Sequence, residues 1–284
     1  MHVTGSIPEL RSLIADWRRH GQRVAFVPTM GNLHAGHLSL VAKAREISDR
    51  VVVSIFVNPM QFGPAEDFDT YPRTRAADEA GLREQGADLL FVPELATMYP
   101  HEPGRTTRIE VPGVSDILCG EFRPGFFVGV ATVVGKFFNL VQPDVAVFGE
   151  KDFQQLVVIR RMVTELAWPI EVVGMPTVRE PDGLAMSSRN AYLRAEERAV
   201  APRLYAVLCE LAERLKGRRG DFQALEVEAM HQLAAVGFRP DYVSVRRLED
   251  LARPDARDRK LVVLGAAWLG DWARLIDNIS IEFT

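Results

Sequence analysis

The chain of 284 residues carries 34 Lys/Arg against 38 Asp/Glu, a formal charge of −4, and is 47% hydrophobic and 25% charged. That balance suits a chain able to bury a sizeable core, as one large domain or a main domain with a smaller partner. It argues against a dedicated nucleic-acid surface, because residues 1–175 hold 17 basic and 21 acidic side chains and residues 176–284 hold 17 of each.

Glu9, Arg11 and Asp16 near the start leave no apolar h-region, so no secretory signal reads there. The first strand is expected at residues 23–30 ("RVAFVPTM"), followed by a helix over 37–49 and a second strand over 50–59, apolar nearly throughout as in a strand buried on both faces. A helix over 74–86 ending at Gly86 and a strand over 87–93 continue the rhythm. Residues 92–127, rich in Pro and Gly, read as an excursion or flap. A helix over 129–143, a strand over 144–150, a helix over 151–166 and a strand over 169–180 follow. Alternating βα units with apolar strands predict a Rossmann-like, doubly wound parallel sheet over residues 1–176.

Beyond about residue 190 the pattern changes to amphipathic helices over 195–216 and 221–236, then short strands over 241–248, 260–269 and 273–283. These form a smaller C-terminal α+β domain, residues 177–284. Its most apolar run, "LVVLGAAWLG", is too short to span a bilayer, so no membrane partner is expected. Cys119 and Cys209 are the only cysteines and lie far apart, which suggests no disulfide framework or zinc site and suits a reducing cytoplasm.

Ligands of open α/β sheets sit beyond the carboxyl ends of the strands. There lies "VPTMGNLHAGHLSLV" (27–41), with His34 and His37 three apart before a helix and Gly31 and Gly36 allowing close backbone approach. The turn matches neither the G-x-G-x-x-G dinucleotide fingerprint nor a P-loop. Metal ligation is disfavoured, since no further ligand stands nearby. Two readings stay open: capping or core imidazoles, or N–H donors that meet phosphate at a helix N-terminus. At "FGEKDFQQ" (148–155), Asp152 with Gln155 fits a D-x-x-Q capping pattern. Lys151 stands out because only five of the 34 basic residues are Lys, and a compact ammonium suits a charge-dispersed phosphate. Ser187 and Ser188 in "MSSRN" (186–190) suit turn or N-cap positions equally well.

The "HAGH" turn resembles the H-x-G-H signature of nucleotidylyltransferases and class I aminoacyl-tRNA synthetases. With it, "FVNPMQFGPAEDFDTYPRT" (56–74), the run 123–163 from "RPGFF" to "VIRRMV", and "REPDGLAMSSRNAYL" (179–193) are similar, in order, to blocks of the pantothenate synthetases (pantoate–β-alanine ligases). The resemblance spans the chain. It implies ATP-dependent condensation of pantoate with β-alanine through a pantoyl adenylate, releasing pyrophosphate and then AMP. Mg²⁺ is expected with the ATP phosphates, with no protein ligand identified. A homodimer is implied as well.

The resemblance gives His34, His37 and Lys151 the catalytic phosphate contacts, His37 the principal one. It places Met30, Gly31, Gly149, Asp152, Val178, Met186, Ser187, Ser188 and Arg189 on ATP, with the "MSSRN" loop in the place of a K-M-S-K-S-like motif and Arg189 as a fork for the outer phosphates. Gln61 and Gln155 match pantoate ligands, and Asn58 and Arg123 line the same region. Neutral amides suit this role, because a bidentate Arg would hold and neutralise the carboxylate that must attack. Two positions depart from the family pattern: Phe126 stands where His is usual, and Phe153 where Tyr is common.

Overall fold

Valine-rich runs of five or six residues bury both faces of a strand, and the parallel sheet forms where they recur. The computed structural model describes residues 1–63, 66, 68–101, 105–217 and 220–283. Its first part contains β1 (His2–Thr4), α1 (Ile7–Arg19), β2 (Val24–Thr29), α2 (Ala35–Ile47), β3 (Arg50–Ile55), α3 (Arg75–Glu84) and β4 (Leu89–Phe91). The short helices α4 (Leu95–Met98) and α5 (Cys119–Phe122) lie in the excursion, whose residues 102–104 fall outside the described residues, as do 64, 65 and 67 of the block 56–74. Then come α6 (Phe126–Val141), β5 (Val145–Gly149), α7 (Phe153–Glu165) and β6 (Glu171–Met175).

The six strands pair in the order β1-β4-β3-β2-β5-β6, every pair parallel. Period-two alternation divides their side chains between two cores. Val24, Phe26, Val52, Phe91 and Phe148 face α1, α6 and α7, whereas Ala25, Val27, Val51, Val53 and Val147 face α2 and α3. Helices on both faces make the sheet doubly wound, as expected. The aromatic cluster Phe26–Phe137–Phe138 is fully buried, each ring contributing about 1.5–3 kcal/mol over its exposed state.

The second part holds α8 (Ala195–Val200), α9 (Arg203–Gly217), α10 (Phe222–Ala235) and an antiparallel sheet, β7 (Phe238–Arg247), β8 (Lys260–Leu269) and β9 (Ala273–Glu282), in that order. Leu204, Leu208 and Leu211 of α9 and Leu225 and Leu233 of α10 pack against Val243, Val263 and Leu275 of that sheet. The helix expected over 195–216 is two helices, because Pro202 has no backbone N–H to continue the first. Strand 169–180 stops at Met175, before Pro176, and its remainder is a loop closed by an isolated bridge between Arg179 and Ala185. Among the described residues, no helix is long and apolar enough to cross a membrane.

From β2 the chain winds outward through β3 and β4, while β5 and β6 lie on the other side, so the sheet changes direction between β3 and β5 around β2. The carboxyl ends of β2 and β5 are neighbours, and a crevice opens beyond such a switch point.

Candidate active site

The turn after β2 is held by side chains on its neighbours. Thr29 Oγ1 donates to Ser54 O at 2.7 Å and accepts Gly31 N–H at 3.2 Å. Gly31 (φ 84°) and Asn32 (φ 51°) then reverse the chain through left-handed backbone. The buried Asp78 of α3 accepts Asn32 N–H at 3.0 Å, Leu33 N–H at 2.8 Å and the Thr74 hydroxyl at 3.0 Å, which anchors the turn.

His34 is the N-cap of α2. Its Nδ1 accepts Gly36 N–H at 3.2 Å, and His37 Nδ1 accepts His34 N–H at 3.4 Å. The ring centroids are 4.1 Å apart. A Cβ at residue 36 would stand 2.9 Å from the His34 ring, so Gly36 makes room for it. The histidines thus cap the helix, as one reading had it, and also line the cavity described below. Burial, then the Lys151 ammonium, lowers His34 to about 4. Burial and then His34 lower His37 to about 3. Both rings are therefore neutral at pH 7. Since each Nδ1 accepts a backbone N–H, the proton sits on Nε2 and each ring offers a neutral donor.

Beyond β5, Gly149 leads into a 3₁₀ turn, Glu150–Asp152, and then α7. Lys151 Nζ lies 3.7 Å from the Asp152 carboxylate. The capping expected of Asp152 is not found: its side chain makes no cap bond, because the 3₁₀ turn runs into the helix and leaves Asp152 at φ −92°, ψ 58° rather than extended. Buried Gln154 accepts Cys119 N–H at 3.1 Å and donates to Val114 O at 2.9 Å and Ile117 O at 2.7 Å, pinning the flap, and it lines the cavity together with its neighbour Gln155.

Gln61 sits on a 3₁₀ turn, Pro59–Gln61, after β3. Asn58 caps that turn: its Oδ1 accepts Met60 N–H at 3.3 Å and the Tyr99 hydroxyl at 2.8 Å, and its Nδ2 donates to Gly129 O and Gln61 Oε1, each at 3.0 Å. With its oxygen so occupied, Gln61 keeps its NH₂ as donor. Arg123 donates from Nε to Glu66 at 2.8 Å, forms a second bond to the same carboxylate, donates to Gln61 O at 3.1 Å and lies 3.8 Å over the Phe126 ring. Burial opposes ionisation of Glu66, but Arg123 holds its carboxyl below the usual range.

Ser187 Oγ accepts Arg189 N–H at 3.3 Å and caps a 3₁₀ turn, Ser188–Tyr192, so the cap reading of this loop holds locally. Ser188 donates to Asn32 O at 3.1 Å, tying the loop to the first turn. Met186 N–H bonds Val178 O at 3.0 Å.

These parts surround one cavity of about 610 Å³. Its walls include Met30, His34, His37, Gln61, Arg123, Gly149, Lys151, Asp152, Gln155, Val178, Met186, Ser187, Ser188 and Arg189. They do not include Gly31, whose absent Cβ would meet Ile55 and Asp78, or Asn58, which is 1% exposed behind Gln61. Sequence reasoning missed Asp78, Glu66, Tyr99 and the β9 residues Asp277 and Asn278. Only Asp78 left a signal, as an acid one turn before the buried Leu82 on α3. Among the described residues, no group of three or more His, Cys, Asp or Glu could hold a metal ion.

The likeness to known proteins extends over the whole chain. It is 55% identical over 282 residues to pantothenate synthetase of Pseudomonas aeruginosa, covering 99% of each protein. The crystal structure of pantothenate synthetase from Thermus thermophilus superposes with a TM-score of 0.90 at 47% identity, covering 98% of this chain and 99% of that one. Pantoate-beta-alanine ligase from Francisella tularensis, solved with beta-gamma ATP and beta-alanine, gives 0.81 at 33% identity over 98% of this chain and 97% of that one. The family model for pantoate-beta-alanine ligase matches residues 2–280, so the chain belongs to that family and is a pantothenate-forming ligase.

Proposed function

We propose that the cavity performs the ligation in two steps, with these residues in these roles. A carboxylate oxygen of pantoate attacks the α-phosphorus of ATP, the bond to the bridging oxygen breaks, and pyrophosphate leaves. The amine of β-alanine then attacks the acyl carbon of pantoyl adenylate, sheds its proton and expels AMP. The observation that carries this reading is the convergence on one cavity of phosphate-suited donors with two neutral amides. The donors are His34, His37, Lys151 and the Ser187–Arg189 loop, and the amides are Gln61 and Gln155.

The Nε2–H donors of His34 and His37, the Lys151 ammonium and the N-terminus of α2 all favour negative charge growing on the reacting phosphate. Arg189 forks onto the outer phosphates and Met30, Val178 and Met186 flank the nucleotide. Gln61 and Gln155 orient pantoate without neutralising its nucleophilic oxygen. Mg²⁺ accompanying ATP would offset the charge on its phosphates and ease attack on the α-phosphorus. Residues 1–176 form the nucleotide and pantoate domain, and 177–284 a lid whose closure excludes water from the adenylate. Family membership supports a homodimer, and two free thiols, Cys119 and Cys209, suit a cytoplasmic setting.

The test is pantoate-dependent exchange of labelled pyrophosphate into ATP, with Mg²⁺ present and β-alanine omitted. Exchange is expected. Amide formation without exchange would overturn the separable adenylate step, and loss of both would overturn the assignment of the cavity.

A further inference from the structure

Lys151 stands on a turn of three residues, Glu150–Asp152, and β9 of the C-terminal sheet reaches across to bond two of its carbonyls. Asn278 Nδ2 donates to Glu150 O at 2.8 Å and to Lys151 O at 3.0 Å. Two carbonyl oxygens need two N–H donors in a fixed fork, which a primary amide has and a carboxylate or single hydroxyl lacks. Asn278 is 7% exposed, lies on the cavity wall and pairs with Leu264 of β8 across the sheet.

Its own placement is fixed from behind. Asn278 N–H donates to Asp277 Oδ1 at 2.8 Å. Asp277, 3% exposed, takes a bidentate pair from Arg179 at 2.6 and 2.8 Å, and the Arg179 guanidinium lies 3.4 Å over the Tyr205 ring. Arg179 opens the loop that ends in Ser187–Arg189. Adjacent residues of one strand therefore hold the Lys151 turn on one side of the cavity and the start of the serine loop on the other.

We infer that Asn278 is a positioning residue for adenylation, setting the Lys151 ammonium through the backbone of its turn. This rests on the reading that Lys151 meets the reacting phosphate. Misplacing such a group by about 1 Å costs on the order of 100-fold in rate. A residue acting through Lys151 has nothing left to misplace once that side chain is gone.

The experiment is a double-mutant cycle in pyrophosphate exchange with Asn278→Ala, Lys151→Ala and the pair, each checked for native unfolding by urea. The expected result is about a 10- to 100-fold fall in kcat for Asn278→Ala, with the KM for pantoate within about threefold. In the Lys151→Ala background the same change costs less than about threefold. Asn278→Leu, which keeps the size of the side chain without its N–H donors, shows the same loss and replaces Asn278→Ala in the cycle should that variant unfold. Equal losses in both backgrounds, or normal turnover of Asn278→Ala, overturn the inference. Wild-type turnover of Lys151→Ala alone overturns the reading beneath it, which is a different outcome.

Discussion

Gly129→Ala sets two physical effects against each other inside α6. Helix propensity alone predicts a gain of about 1 kcal/mol from replacing an interior glycine. Packing predicts a loss. A Cβ at residue 129 would lie 2.2 Å from Met60 O, 2.5 Å from Met60 C and 2.9 Å from Gln61 N, all backbone atoms of the turn that carries Gln61. Ordinary contact begins near 3.4 Å, so helix and turn must part by about 1 Å. α6 cannot retreat, because Phe127, Val130 and Val134 are buried in the core beneath it. The turn therefore yields, stretching the Asn58–Gly129 bond and moving Gln61. Overpacking of this kind costs about 1–3 kcal/mol, enough to cancel or exceed the propensity gain. A shift of about 1 Å at a substrate-orienting group costs on the order of 100-fold in kcat/KM for pantoate. The KM for ATP should stay within about threefold, since the histidine turn and the Lys151 turn are untouched. Pyrophosphate exchange at varied pantoate, with urea unfolding beside it, measures both. A variant more stable than the parent, with unchanged pantoate kinetics, would refute the close approach as the reason for glycine here.

Two further outcomes follow from the histidine turn. Asp78→Ala leaves the Asn32 and Leu33 N–H groups without their buried acceptor, at about 1–3 kcal/mol each, and should lower both urea stability and turnover; Asp78→Asn, which keeps one acceptor, should fall between, and a stable, fully active Asp78→Ala would sink this account. His37 has its folded pKa lowered to about 3 from the ordinary value of 6.5, so the unfolded chain takes up the proton first and stability is lost as pH falls below about 6.5. At 1.36 kcal/mol per unit, His37 accounts for up to about 2 kcal/mol between pH 7 and pH 5, and in His37→Gln that share of the slope should vanish; identical slopes in the two proteins would show that the ring is not held neutral.

The parallel sheet was legible because its strands are apolar on both faces and alternate with helical spacing, which composition and periodicity report directly. β1 left no such mark, being three residues long and held by pairing with β4 rather than by its own pattern. The break at Pro202 was readable in principle but was overridden by amphipathic spacing on both sides of it. At the cavity, side chains carried by a short motif at a strand end could be named from the sequence. The residues that hold those motifs in place could not. Asp78, Tyr99 and Asn278 reach their partners from α3, the flap and β9, and no spacing rule links residue 278 to residue 151. Gln154 and Gln155 show the same limit at one step: identical side chains on adjacent helical positions point about 100° apart, and only packing decides that it is Gln154 that bonds the flap.

The two open readings of His34 and His37, cap or phosphate donor, turn out to depend on one another. An imidazole can present a fixed N–H to an anion only if its other nitrogen is occupied by a donor, and the free N–H groups at the start of α2 are such donors. Capping through Nδ1 therefore selects the tautomer with the proton on Nε2. Burial and Lys151 keep His34 neutral, and burial with His34 keeps His37 neutral, so neither ring adds a repelling charge beside the ammonium. The spacing has its reason in the same geometry. The N-cap and N3 positions are three residues apart, so His34 and His37 can each close a bond at the helix start. Gly36 lies between them because a Cβ there would strike the His34 ring. Removing the cap function while keeping an imidazole in the cavity would thus free the tautomer and weaken the donor, and that is why the motif couples two histidines to a glycine at the first turn of a helix rather than scattering them around the cavity.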